Sequence, residues 1–114
     1  MADDCIFCQI AGGKIPARVV FQDEDVMVFR DLTPKAPSHL LVIPKRHISS
    51  LAETDDADSG LLGKLLHRAV ETARQEGLDK GFRTVINTGP EGGQTVGHLH
   101  LHVIGGRQMT WPPG

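Results

Sequence analysis

One long stretch of this chain repeats with the period of a helix, and strand-like runs flank it on both sides. Leu61, Leu62, Leu65, Leu66, Ala69, Val70 and Ala73 recur at the 3.6-residue step of an amphipathic helix. Thr54, Asp55 or Asp58 is placed to cap its start, and Gly77 to end it. Before it, "VVFQD", "VMVFRD" and "HLLVIPK" read as strands at 19–22, 26–30 and 39–43, with Asp23-Glu24-Asp25 as a hairpin connector. After it, "FRTVIN" at 82–87 and "HLHLHVI" at 98–104 return to strand. Ile6, Phe7 and Ile10 share one face of a short helix within 4–12, which Gly12-Gly13 ends. "DLTPKAPS" breaks both periods and is a loop at the mouth of the sheet. The expected fold is α+β: one antiparallel sheet of about five strands with two helices on one face. The 114 residues fit a single domain, 1–114.

Charge narrows the function. The net charge of −2 gives no basic face for nucleic acid or for an anionic membrane, so neither is an expected partner. The chain holds no apolar run long enough to span a bilayer, and Met-Ala-Asp-Asp does not start a signal peptide. The expected location is therefore cytoplasmic, where Cys5 and Cys8 stay thiols or bind metal.

Three of the six histidines alternate in "VGHLHLHVIGG". On a strand, His98, His100 and His102 share one face, while Leu99, Leu101 and Val103 turn to the core. Neighbouring histidines are then about 6.5–7 Å apart, which suits a row where one ring reacts and others orient it. A histidine-only metal site and a solvated face by chance are the competing readings. The preceding loop, "TGPEGGQTVG", favours phosphate chemistry. Gly92, Gly93 and Gly97 admit close backbone approach, and Asn87, Gln94 and Thr95 add donors for phosphate oxygens. A neutral imidazole beside such a cradle is a nucleophile towards phosphorus.

The run His98-Leu-His100-Leu-His102-Val-Ile resembles the histidine-triad motif. The likeness extends through "IFCQI", "IPARVVFQDEDVMVFRDLTPKAPSHLLVIPKRHIS", "NTGPEGGQTVGHLHLHVIGGRQ" and the ending "WPPG". With that ending the chain resembles the Hint branch of the histidine triad (HIT) superfamily. The resemblance implies a homodimer whose two sheets join into a larger continuous one. It also implies a purine nucleoside phosphoramidase, which hydrolyses adenosine or guanosine 5′-phosphoramidates and acts on aminoacyl or lysyl adenylates. A dinucleoside polyphosphate hydrolase and a nucleotide-binding regulatory or scaffold protein are the alternatives.

Carried over by motif position, His100 is the nucleophile, His102 contacts phosphate, His98 supports the central ring and His39 assists proton movement. Asp31 accepts from the ribose hydroxyls with Leu32 alongside. Ile6, Phe7, Ile10, Phe29 and Leu41 line the base slot, and Trp111 reaches the partner's leaving-group side. No cofactor is expected for catalysis. Two departures stand out: Thr95 replaces the usual Ser, with the hydroxyl kept, and Gly97 replaces a common aromatic ring.

Cys5-Ile-Phe-Cys8 is a weak signal alone. The resemblance implies a structural zinc held by Cys5, Cys8, His47 and His98, closed and tetrahedral. Two reduced thiols packed near the base slot, or a redox dithiol, are the competing readings.

Overall fold

The computed structural model describes residues 4–114. Helix α1 spans Ile6–Ala11 and helix α2 spans Ser59–Gln75. Strands β1 to β5 span Val19–Gln22, Val26–Arg30, Ser38–Pro44, Phe82–Val85 and Leu101–Gly105. All pairings are antiparallel, in the order β1-β2-β3-β5-β4. No helix among the described residues is long and apolar enough to cross a membrane.

Strand alternation makes two cores, one on each side of the sheet. Val26, Val28, Leu40, Val42, Leu99, Leu101 and Val103 face α2, which adds Leu65, Ala69 and Ala73. Met27, Phe29, Leu41 and Ile43 face the other way and meet Phe7 and Ile10 of α1. The two helices therefore lie on opposite faces, not on one. The central strands explain this: β2 and β3 are buried along their length, so both faces need a cover. Truncating a residue such as Leu40 or Leu65, each fully buried, costs about 2–5 kcal/mol.

Local chemistry sets the joints. Asp23 Oδ1 accepts from the amides of Asp25 and Val26, which shapes the β1–β2 turn. Asp55 and Asp58 form a capping box on the 3₁₀ turn Asp56–Asp58, and α2 starts from there. Gly77, at φ 73°, ends α2 in a backbone region that suits glycine. Arg30 grips Glu76 with two hydrogen bonds, at 2.9 and 2.8 Å, and so ties the end of α2 to the end of β2.

The last strand is shorter than the alternation predicts. Its ladder with β3 ends at Val42↔Leu101, so residues 98–100 stand outside it. Pro44 lacks an amide hydrogen and cannot extend the ladder. The Leu99 amide turns instead to the Ile48 carbonyl, at 2.7 Å. The alternation of faces survives: Leu99 joins the α2 core, while His98 and His100 meet Phe7 of α1.

Candidate active site

Register gathers the histidines. Leu41 opposes His102 and His39 opposes Ile104, so His39 and His102 sit on neighbouring strands and share the α1 face. The rings of His100 and His102 tilt by 68° to bring their centroids to 5.0 Å, closer than the strand spacing. The His39 and His102 centroids are 5.1 Å apart. Phe7 packs edge-on against His98 and His100, at 6.0 and 5.2 Å, and against Phe29 at 5.4 Å.

Backbone partners fix which nitrogen of each ring carries the proton. A carbonyl only accepts, so the ring nitrogen beside it donates. His100 Nδ1–H donates to the His98 carbonyl at 2.7 Å, which leaves Nε2 as a lone pair. His98 Nε2–H donates to the Pro44 carbonyl at 2.8 Å, which leaves its Nδ1 as a lone pair. An amide only donates, so His39 Nδ1 accepts from Lys35 N–H at 3.0 Å. His39 Nε2–H then donates to His102 Nδ1 at 2.9 Å, and the remaining proton of His102 lies on Nε2.

Burial favours the neutral form of His39, His98 and His102. It pushes the His102 pKa down to about 4, helped by neighbouring His100 and His39. Burial likewise lowers His39 and His98. Asp31 Oδ2 lies 3.4 Å from His39 Nε2 and pulls His39 the other way. Its Oδ1 is committed to the Thr33 amide and hydroxyl.

The glycine-rich loop is braced by its own side chains. Gln94 Oε1 accepts from the Gly89 amide, and its Nε2 donates to the Ser49 and Val96 carbonyls. Its amide is thereby given to loop shape, whereas the spacing suggested a phosphate donor. Asn87 Nδ2 donates to the Gly92 carbonyl at 2.8 Å. Thr95 is exposed. Gly92 is sterically required: a Cβ there would lie 2.3 Å from the Thr88 carbonyl oxygen.

The residues assigned to the base slot divide. Phe7, Ile10, Phe29 and Leu41 are buried against one another, while Ile6 and Leu32 are exposed at 46% and 86%. Trp111 is 84% exposed. Arg83 holds the tail beside it by donating to the Thr110 and Pro113 carbonyls.

Beside the triad, Cys5, Cys8, His47 and His98 converge. His98 Nδ1 lies 3.3 Å from Cys5 Sγ, 3.4 Å from Cys8 Sγ and 3.3 Å from His47 Nδ1. Cys8 Sγ and His47 Nδ1 are 3.2 Å apart. Tetrahedral zinc, with bonds of about 2.3 Å to sulfur and 2.0–2.1 Å to nitrogen, sets such atoms about 3.3–3.6 Å apart. The donor set and spacing are compatible with that ion, and the Nε2–H bond of His98 to a carbonyl is the usual support of a ligating histidine.

The expected support of His100 through the backbone of His98 is present. Sequence reasoning missed the other two groups that fix these tautomers, the carbonyl of Pro44 and the amide of Lys35. Backbone atoms leave no residue-type signal. Only the prolines of "TPKAPSH" hint at a constrained loop.

The chain is similar to known proteins over nearly all of its length. The chain is 50% identical over 111 residues to the adenylylsulfatase HINT1 of Arabidopsis thaliana, covering 96% of this chain and 76% of that protein. It is 50% identical over 113 residues to a 14 kDa zinc-binding protein of Brassica juncea, covering 97% of this chain and all of that one. A HIT family hydrolase from Legionella pneumophila superposes with a TM-score of 0.95 at 55% identity, over 96% of this chain and 99% of that one. Residues 12–109 match the HIT domain, and on that match the chain belongs to the HIT domain family.

Proposed function

We propose that this protein is a nucleotide hydrolase that cleaves the P–N bond of purine nucleoside 5′-phosphoramidates and also acts on aminoacyl or lysyl adenylates. One observation carries the reading: His100 Nδ1–H is anchored on the His98 carbonyl, which leaves an unprotonated Nε2 as nucleophile. That nitrogen attacks the α-phosphorus and forms an N–P bond as the bond to the leaving amine breaks. The amine takes up a proton as it departs. Water then cleaves the N–P bond, releasing the nucleoside monophosphate and restoring neutral His100. Through the covalent step, Nδ1–H keeps donating to the carbonyl and supports the positive charge on the ring.

His102 Nε2–H is the donor for a non-bridging phosphate oxygen, held in that tautomer by His39. An anionic phosphate beside these rings raises their pKa and lets His39 and His102 pass a proton to the amine. Asp31 Oδ2 is the acceptor for the ribose hydroxyls, with Leu32 beside it. Thr95 and Asn87 supply loop donors. Phe7 and Ile10 with Phe29 and Leu41 form the floor under the base, and Ile6 its exposed wall.

Cys5, Cys8, His47 and His98 hold a structural zinc in this reading. The name of the Brassica relative and the spacing of the four donors support it. The ion fastens α1 to the sheet and takes no part in the chemistry. The protein pairs as a homodimer through β4, an unpaired sheet edge with Phe82 exposed, and through Leu66 and Val70, exposed on α2. Trp111 is free to reach the partner.

A second reading has a specific support. The Arabidopsis relative is named an adenylylsulfatase, and sulfate leaves without needing a proton. His102, neutral at pH 7 with a pKa of about 4, is a poor acid before substrate arrives. Comparing kcat/KM on adenosine 5′-phosphoramidate, adenylyl sulfate and a diadenosine polyphosphate separates the activities. The expected order places the phosphoramidate first. His100→Ala is expected to abolish turnover while nucleotide still binds, and an intact rate in that variant would falsify the mechanism.

A further inference from the structure

We propose that Lys35 and Arg107 are positioning residues that set the tautomer of His102 from outside the site. The inference rests on the proposed role of His102 as a phosphate donor. A chain of hydrogen bonds links the surface to that ring. Arg107 Nε donates to the Lys35 carbonyl at 3.2 Å. The Lys35 amide donates to His39 Nδ1 at 3.0 Å. His39 Nε2–H donates to His102 Nδ1 at 2.9 Å. The last two links fix the protons: an amide cannot accept, so His39 must carry its proton on Nε2, and His102 must carry its own on Nε2, while the Arg107 bond holds Lys35 in place.

The sequence builds this chain from two loops. Pro34 and Pro37 have no amide hydrogen, so between Thr33 and Ser38 only the amides of Lys35 and Ala36 can donate, and the Lys35 amide is the one that reaches His39. Lys35 Nζ also donates to the Thr33 carbonyl at 2.8 Å and tightens the loop on itself. Gly106 lets the second loop close over the first. Its φ is 93°, and a Cβ there would lie 2.9 Å from Pro37 Cβ. That contact brings Arg107 against the Lys35 carbonyl. Lys35 is thus held through its carbonyl on one side of its Cα, while on the other side its N–H is aimed at one ring nitrogen.

Without this pin, His39 can protonate Nδ1 and turn its Nε2 lone pair towards His102. His102 then donates from Nδ1, and its outward Nε2 becomes a lone pair that repels phosphate oxygen. The two residues therefore act on catalysis through a proton position, without touching substrate.

The test is the histidine tautomers, read by long-range ¹H–¹⁵N NMR on nucleotide-free protein, beside steady-state kinetics. Wild type is expected to show protonated Nε2 and unprotonated Nδ1 at both His39 and His102. Lys35→Pro removes the amide hydrogen and is expected to give mixed tautomers at both rings, whereas Lys35→Ala keeps the wild-type tautomer. Arg107→Ala is expected to shift the same populations and to lower kcat about threefold to tenfold with KM little changed, the order of one exposed intramolecular hydrogen bond. Arg107→Lys, which can still donate to the carbonyl, restores most of that loss. Should Lys35→Pro fail to fold, Arg107→Ala decides, because its side chain is at the surface. Nδ1-protonated His39 in wild type overturns the proposal, as do wild-type tautomers in the Arg107→Ala protein. The spectra do not depend on turnover, so a wild-type protein inert towards phosphoramidates overturns the proposed function and leaves this test intact.

Discussion

Two knots of metal-ligand side chains sit on the same face of the sheet. Cys5, Cys8, His47 and His98 form one, and Asp31, His39 and His102 form the other. By proximity alone both are metal sites. Their hydrogen bonds separate them. In the first, the Pro44 carbonyl takes the outer proton of His98, so a lone pair faces two sulfurs and a second imidazole. In the second, the Lys35 amide takes the outer lone pair of His39, so a proton faces inward between the rings. A metal there would have to displace that proton and leave two donors pointing at each other. The donors of one knot are compatible with a cation, while those of the other hold a proton between two rings. The lesson is that the partner on the far side of an imidazole decides what its near side can do.

The largest expected effect breaks the first knot. Replacing Cys5 and Cys8 by Ser is expected to reduce zinc from about one ion per chain to almost none and to lower the melting temperature, since structural zinc supplies folding free energy. His102→Asn in the second knot is expected to leave zinc content unchanged. Metal analysis and melting of both proteins check this. Loss of zinc in His102→Asn would show that the knots are one site.

Next is Asp31→Asn, which is expected to weaken nucleotide binding roughly tenfold or more by removing a charged acceptor. Calorimetric titration measures it, with zinc content again constant. A smaller effect follows from pH. His39 and His102 titrate below the ordinary 6.5 in the folded protein, His102 at about 4. The unfolded chain therefore binds protons first as pH falls. The stability these neutral rings contribute is complete above about pH 6.5 and is lost as pH drops towards about 4. Melting curves across that window are expected to show the decline, and a shallower one in His102→Asn. A decline of unchanged steepness in the variant would place the proton uptake elsewhere.

The smallest effect is expected at the seam between the knots. Gly97 precedes His98, is exposed, and has no atom within 4 Å of a built Cβ. Gly97→Ala is expected to change stability by no more than about 0.5 kcal/mol. Gly92→Ala, at the tight end of the same loop, is expected to cost about 1–3 kcal/mol. Parallel denaturant melts test the contrast.

Much of this was legible in the residues. The spacing of Leu65, Ala69 and Ala73 predicts α2, and the burial of all three agrees. The alternation of His98, His100 and His102 with leucines predicts one polar and one apolar face, as found. Cys5 and Cys8 do meet His47 and His98. The side of the sheet that α1 covers was not legible. Ile6, Phe7 and Ile10 show only that a helix has an apolar face, and β2 and β3 are apolar on both sides. Nor was the commitment of the Gln94 amide to its own loop, because a donor's target depends on where the chain bends.

Side-chain spacing along the chain settled the periods, the histidine row and the donor types, because each is local to a regular backbone. The tertiary structure decided which nitrogen of each histidine bears a proton. That choice belongs to backbone carbonyls and amides brought in from 35, 44 and 98, and a peptide group has the same chemistry in every residue but proline until the fold gives it a direction.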